Sequence, residues 1–246
     1  MRIALISDIH GNCFALDAIL ADIHSRSIEQ IVCLGDAIQG GPQPAEVAQR
    51  LRKLACPVIM GNADAWLLTG HDTRSHEEIS PQQIAVKEWS LAQLSATDRA
   101  FIEQFLPSLE IALEAPRKLL CFHGSPRSFD DILLPDTSEE AFQKLLGGFE
   151  ATLLAGGHTH TQQWRRLGNA WYVNPGSVGL AYHWLLAETE LRADPWAEYA
   201  IVTSESEQLG VEFLHIPFDV EQLIEIIKAS GRPYPDSAIA LYRPKY

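Results

Sequence analysis

Met1-Arg-Ile-Ala-Leu-Ile-Ser-Asp-Ile-His10 opens the chain, a short apolar run that ends abruptly in two metal-capable side chains, Asp8 and His10. In a strand, residues two apart point to the same side, so this pair can close on one ion. The place would be the carboxyl end of a buried strand, where open α/β sheets present their sites. Working outward, the same device recurs. Apolar runs end in Gly35-Asp36, in Gly61-Asn62, in His123-Gly124 and in Gly156-Gly-His158-Thr-His160. Five strand ends thus deliver carboxylate, amide or imidazole groups.

The rest of the chain bounds what those groups can do. Its 246 residues, 46% hydrophobic, suffice for one large domain over 1–246, with a helical insert or cap over 63–107. A net charge of −13 argues against bulk nucleic-acid binding, which needs clustered Lys and Arg. A small phosphorylated substrate held through metal is still allowed. Cys13, Cys33, Cys56 and Cys121 form no CxxC pair and read as small buried hydrophobes in a reduced compartment. The opening apolar stretch is too short for a signal segment or a membrane span, so the expectation is a cytoplasmic protein that makes no membrane contact.

Periodicity predicts strand Ile3–Ser7, then a helix capped by Asn12 with Leu16, Ile19, Leu20 and Ile23 on one face. Strand Ile28–Leu34, a helix with Pro44 in its first turn and a third strand, Val58-Ile-Met60, complete β-α-β-α-β, which favours parallel pairing. From Ala63 to about Pro107 the alternation lapses into helices: Ala63–Thr69, Pro81–Leu94 behind a Ser80 cap, and Ala96–Phe105 with Ser95 and Asp98 as a capping pair. The polar stretch Gly70–Glu78 reads as a loop. Three hairpins follow, around Ala115-Pro-Arg117, around Leu167-Gly-Asn169 and around Ser204–Gln208. Between the first two, Thr137 with Glu140 caps a helix through Leu146, and a last helix starts at Asp219.

Counting potential ligands gives Asp8, His10, Asp36, Asn62, His123, His158 and His160. A set without thiolate suits Zn, Fe, Mn or a similar divalent ion such as Ni. Seven is too many for one ion and fits two if one carboxylate bridges. Two ions about 3.5–4 Å apart clamp the oxygens of a phosphoryl group. In this order, D-x-H, G-D, G-N, H-G and G-H-x-H resemble the calcineurin-like metallophosphoesterases. The wider strings Ser-Asp-Ile-His-Gly-Asn, His-Gly-Ser-Pro-Arg and Asn-Pro-Gly-Ser are similar to those of its small prokaryotic branch. The resemblance covers residues 1 to roughly 180. It implies an α/β protein built as a four-layer α-β-β-α sandwich with two divalent ions. Asp8, His10 and His160 would hold the first ion and Asn62, His123 and His158 the second, with Asp36 bridging. The implied reaction is hydrolysis of a phosphomonoester or phosphodiester by a hydroxide attacking in line.

One departure bears on mechanism. Many relatives carry a histidine directly after the metal-binding asparagine, as the acid for the leaving group; this chain has Ala63. His71 and His76 on the polar stretch are the only replacements the sequence offers. Arg127 is placed either on a substrate phosphate, through its guanidinium fork, or on the surface. Asn12 and Asp64 either brace the site or cap helices, capping being favoured. Gly124, Gly156 and Gly157 can permit positive φ, and Trp66, Trp89, Phe101 and Phe105 read as packing. The rival readings are a scaffold on the same fold that hydrolyses little, and a non-catalytic metal or nucleotide sensor. Exposed hairpins permit a homodimer without demanding one.

Overall fold

The computed structural model describes residues 1–70, 79–114, 116–182, 192–206 and 208–243. Strand β1 (Arg2–Ile6) is buried on both faces, and its alternation assigns each face a partner. Ala4 and Ile6 pack on helix α1 (Cys13–His24) and helix α2 (Pro44–Leu54), among Leu16, Ile19, Val47 and Leu51. Ile3 and Leu5 point the other way and meet Leu119, Cys121, Leu153 and Val173 of a second sheet. Two sheets therefore lie face to face, with helices outside the first.

Strand β2 (Gln30–Cys33) pairs with β1 in parallel. On the other edge β1 pairs antiparallel with β8 (Trp196–Glu205), which forms a hairpin with β9 (Gln208–Pro217). The second sheet is ordered β3 (Leu109–Ala112), β4 (Lys118–Cys121), β5 (Leu153–Ala155), β7 (Ala170–Asn174), β6 (Gln163–Leu167). Its central pairs, β4 with β5 and β5 with β7, are parallel. Helix α6 (Glu139–Leu146) covers its outer face, where Phe142 and Leu146 pack on Phe122, Leu154 and Tyr172. Helix, sheet, sheet, helix is the sandwich the resemblance implies.

Helices α3 (Asn62–Thr69), α4 (Pro81–Gln93) and α5 (Ala96–Ile102) lie near their expected positions, and Ser80 and Ser95 both close capping boxes. Leu67, Leu94, Ile102 and Phe105 join the same core as α1 and α2, so these helices extend that layer. The stretch 71–78, with His71 and His76, lies outside the described residues.

Three local expectations need correction. Val58-Ile-Met60 makes only isolated parallel bridges, Cys33 with Val58 and Ile59 with Leu106, because the chain turns into α3 straight away. The cap of α6 is Ser138, whose hydroxyl accepts from Ala141 N, while Thr137 Oγ1 accepts from Leu134 N. The helix begun at Asp219, α7 (Val220–Ala229), ends before Gly231 and Pro233 but is not the last one, since the chain goes on to form α8 (Pro235–Tyr242). Pro235 suits a first helical turn, and Pro233 merely separates two helices. Among the described residues, no helix is long and apolar enough to cross a membrane.

Two measurements test this packing. Leu5 is fully buried between the sheets, so Leu5→Ala should lose about 2–5 kcal/mol in urea unfolding; a loss under about 1 kcal/mol would contradict the two-sheet core. Glu198 on β8 is buried, and burial pushes its carboxyl up to about 7, against the donors Trp196 Nε1 and Ser177 N. The unfolded chain releases that proton at an ordinary carboxyl pKa and the folded chain holds it longer. The stabilisation is therefore present at low pH and is lost as pH rises through about 7. Melting temperatures of wild type and Glu198→Gln across pH 4 to 8 should converge at the acid end and diverge in favour of the glutamine as pH rises.

Candidate metal centre

The carboxyl ends of β1, β2, β4 and β5 and the bridge at Val58 and Ile59 all reach one rim, and the seven expected residues stand there. They fall into two groups. Ligand atoms of Asp8, His10 and His160 lie within 4.8 Å of one another, and so do those of Asp36, His123 and His158. Asn62, the first residue of α3, joins the second group, its Oδ1 3.1 Å from His123 Nε2.

How Asp8 and His10 come to face one centre differs from the strand alternation expected. Strand β1 ends at Ile6, and both residues sit beyond it at φ +53° and +47°. Asp36, His158 and His160 are also left-handed, at φ +50°, +70° and +52°. Non-glycine residues held there are strained, and such strain persists only where surrounding contacts over-determine it. Those contacts are visible. Asp8 N donates to Gly35 O and His10 N to Asp36 O, each at 2.9 Å, tying the two loops together. Gly124, Gly156 and Gly157, expected to supply positive φ, do not. Gly157 instead allows close approach, since a Cβ there would lie 2.0 Å from Ser7 Oγ.

Each imidazole is oriented from behind. His10 Nδ1 contacts Gln39 O at 2.9 Å, His160 Nδ1 contacts Leu180 O at 2.8 Å and His123 Nδ1 contacts Leu34 O at 2.8 Å. A carbonyl can only accept, so all three Nδ1 atoms carry a proton and all three Nε2 atoms face inward, each with a lone pair to offer wherever the ring holds no second proton. The consequence is a crowd of acceptors. His10 Nε2 lies 3.0 Å from His160 Nε2. Asp8 anchors Oδ2 on His158 N at 3.0 Å, and its buried Oδ1 has no hydrogen-bond partner among the described residues. Asp36 anchors Oδ1 on Ala63 N at 2.8 Å and leaves Oδ2 3.8 Å from His10 Nε2 and 3.4 Å from His123 Nε2.

Proton affinities respond to the same crowding. Burial alone would raise the Asp8 and Asp36 carboxyls, but His160 and His123 hold both below the usual carboxylate range. Burial would lower His123, but Asp36 carries it up to about 9, and Asp8 likewise raises His160. Burial and then His123 push His158 down to about 4, and burial with His160 lowers His10. Each group thus favours one proton at its centre, where a cation would resolve the lone-pair conflict more fully. Oxygen and imidazole donors without thiolate are suited to a divalent ion of the Zn, Fe, Mn or Ni kind.

Other candidates lie elsewhere or act differently. Arg127 faces away from the rim: its guanidinium donates to Leu145 O at 2.5 Å and Gly147 O at 2.9 Å and lies over the Phe149 ring. The carbonyls left free at the end of α6 account for this, and they replace the phosphate fork considered for Arg127. Asp64 is not a cap. Its two oxygens accept from Ala37 N and Ile38 N, each at 3.0 Å, and so fix the loop behind Asp36. Asn12 does cap α1, through Ala15 N, and its Nδ2 also donates to Gly179 O. Trp66 is more than packing, because with Gln39, Asn62, Ala63 and Gln83 it lines a cavity of about 180 Å³ that touches His10 and Asp36. The anchoring carbonyls of Leu34, Gln39 and Leu180 carry no signal in sequence, since any residue supplies one.

Comparison with known proteins agrees with this geometry. The chain is 25% identical over 248 residues to an uncharacterised protein of Methanocaldococcus jannaschii, spanning 94% of this chain and 93% of that one. The crystal structure of a metallophosphoesterase from Sphaerobacter thermophilus superposes with a TM-score of 0.74 at 25% identity, covering 98% of both chains. A hypothetical protein from Pyrococcus horikoshii shares the fold at a TM-score of 0.83 and 23% identity, over 98% of this chain and 97% of that one. The family model for the calcineurin-like phosphoesterase superfamily domain matches residues 1–205, and with the motifs of that family gathered at one rim, the chain belongs to it.

Proposed function

We propose that this chain is a metal-dependent phosphoesterase that holds two divalent ions and hydrolyses a small phosphorylated substrate. The observation that carries this reading is the position of Asp36 Oδ2, 3.8 Å from an imidazole nitrogen of one group and 3.4 Å from one of the other. A single oxygen so placed can serve both groups at once. Asp8, His10 and His160 would hold one ion and Asn62, His123 and His158 the other, with Asp36 shared. Bound there, divalent ions lower the pKa of a water and neutralise phosphoryl oxygens.

The chain's own residues supply position and rigidity. Backbone carbonyls fix the three imidazole tautomers, and Asp64 holds the loop that carries Asp36. Ala63 donates its backbone N–H to Asp36 Oδ1 and offers no side-chain proton to a leaving group. Of the side chains lining the cavity beside it, His10 already points its lone pair inward, and Gln39, Gln83 and Trp66 are poor acids.

Two outcomes follow. Asp36→Asn should reduce both bound metal, read by elemental analysis, and hydrolysis of an activated diester, the latter by more than about 100-fold; normal metal content with normal turnover would refute the shared-ligand assignment. With no side-chain acid at position 63, aryl esters should exceed alkyl monoesters in kcat by about 10²–10⁴-fold. Equal turnover of the two classes, with chemistry limiting both, would show that another group donates the proton.

A further inference from the structure

The family match ends at residue 205, yet the chain continues through α7 and α8, which return to the metal-centre rim. Tyr242 of α8 donates its hydroxyl to Gly179 O at 3.1 Å. Between these helices and the rim lies a cavity of about 180 Å³ whose walls include His10, Gly40 and Leu180. Its place beside the first group follows from the hydrogen bonds: Gln39, next to Gly40, fixes His10, and Leu180 itself fixes His160. The remaining walls are largely apolar, among them Pro42, Leu223, Ile227 and Leu241. An apolar cavity of about 150 Å³ is enough to take up benzene, so this one has room for a single ring.

One wall residue is charged. Arg232 donates from Nε to Gly40 O at 2.7 Å and from Nη1 to Pro233 O at 2.9 Å and Tyr234 O at 3.1 Å. These carbonyls orient the fork without neutralising it, and Nη2 takes part in none of the three bonds. Among the described residues no carboxylate pairs with it, although the chain carries a net charge of −13. Burial lowers its proton affinity, and no charge among the described residues compensates. Half-buried on this apolar wall, with its fork oriented by carbonyls and no carboxylate paired with it among the described residues, the guanidinium is placed to meet an anion.

We infer that this cavity receives the organic part of the phosphoester, a single apolar ring bearing an anionic oxygen that Arg232 binds. The inference rests on the phosphoesterase reading for the ester itself, but ring and anion recognition can be read separately. Leu223, Ile227 and Leu241 would flank the ring, and Nη2 of Arg232 would meet the anion. Arg232 is thus a specificity residue supplied by the segment beyond the family match, meeting an anion on the ring and not the phosphate considered for Arg127.

The test compares phenyl phosphate with 4-carboxyphenyl phosphate, with Mn²⁺ added, in wild type, Arg232→Gln and Ala238→Phe; Ala238 lines the cavity on α8. Wild type should show a KM roughly tenfold lower for the carboxylated ester, the size of one charge-assisted hydrogen bond. Arg232→Gln should erase that difference while still turning over phenyl phosphate, and Ala238→Phe should raise KM for both esters by filling the cavity. In parallel, saturation-transfer NMR on the Zn²⁺-loaded chain should detect benzoate with wild type and lose it with either variant. No preference in wild type, or a preference that survives Arg232→Gln, overturns the inference. If wild type hydrolyses neither ester yet binds benzoate through Arg232, the cavity assignment stands and the phosphoesterase reading falls.

Discussion

Mutual repulsion of lone pairs governs the rim of this molecule. Three imidazoles are anchored through Nδ1 on carbonyls, and two carboxylates are each anchored through one oxygen on a backbone N–H, so every remaining donor atom points into the same small space. The protein opposes that repulsion with its fold. Left-handed backbone at five of the converging residues, tight crossings between the loops after β1 and β2, and a buried Asp64 behind Asp36 all hold atoms where they would not rest alone. Cations would convert the same arrangement from a cost into a binding site.

The sandwich serves that convergence. Parallel pairing of β1 with β2 and of β4 with β5 sends the carboxyl ends of each pair the same way. Face-to-face packing through Ile3, Leu5, Leu119 and Leu153 brings the two sets of ends together. The converging groups come from both sheets, so neither sheet alone could assemble the centre. Stability of the inter-sheet core and geometry of the site are therefore one property, and damage to the first should reach the second.

The rim also has two unlike sides, both touching His10. One is polar, with Gln39, Gln83 and Trp66 supplied partly by α3 and α4. The other is apolar, closed by α7 and α8, with Arg232 as its single charged group among the described residues. On the proposed reading, the phosphoryl chemistry belongs to the residues of the family match and the selection of an organic group to α7 and α8 beyond it.

From the sequence alone, the motifs named the seven residues that gather at the rim, because side-chain chemistry at the end of an apolar run is a local signal. Periodicity likewise placed most helices and the three hairpins. What stayed hidden was non-local or carried by the backbone. That Asp8 and His10 face one centre through left-handed loops and not through strand alternation depends on crossings with residues 35 to 37. That Arg127 caps α6 while Arg232 reaches the rim depends on which unpaired carbonyls stand nearby in space. Sequence determined which groups are available for chemistry; tertiary packing decided which are left with an unsatisfied charge or lone pair, since that balance is set by neighbours far away along the chain.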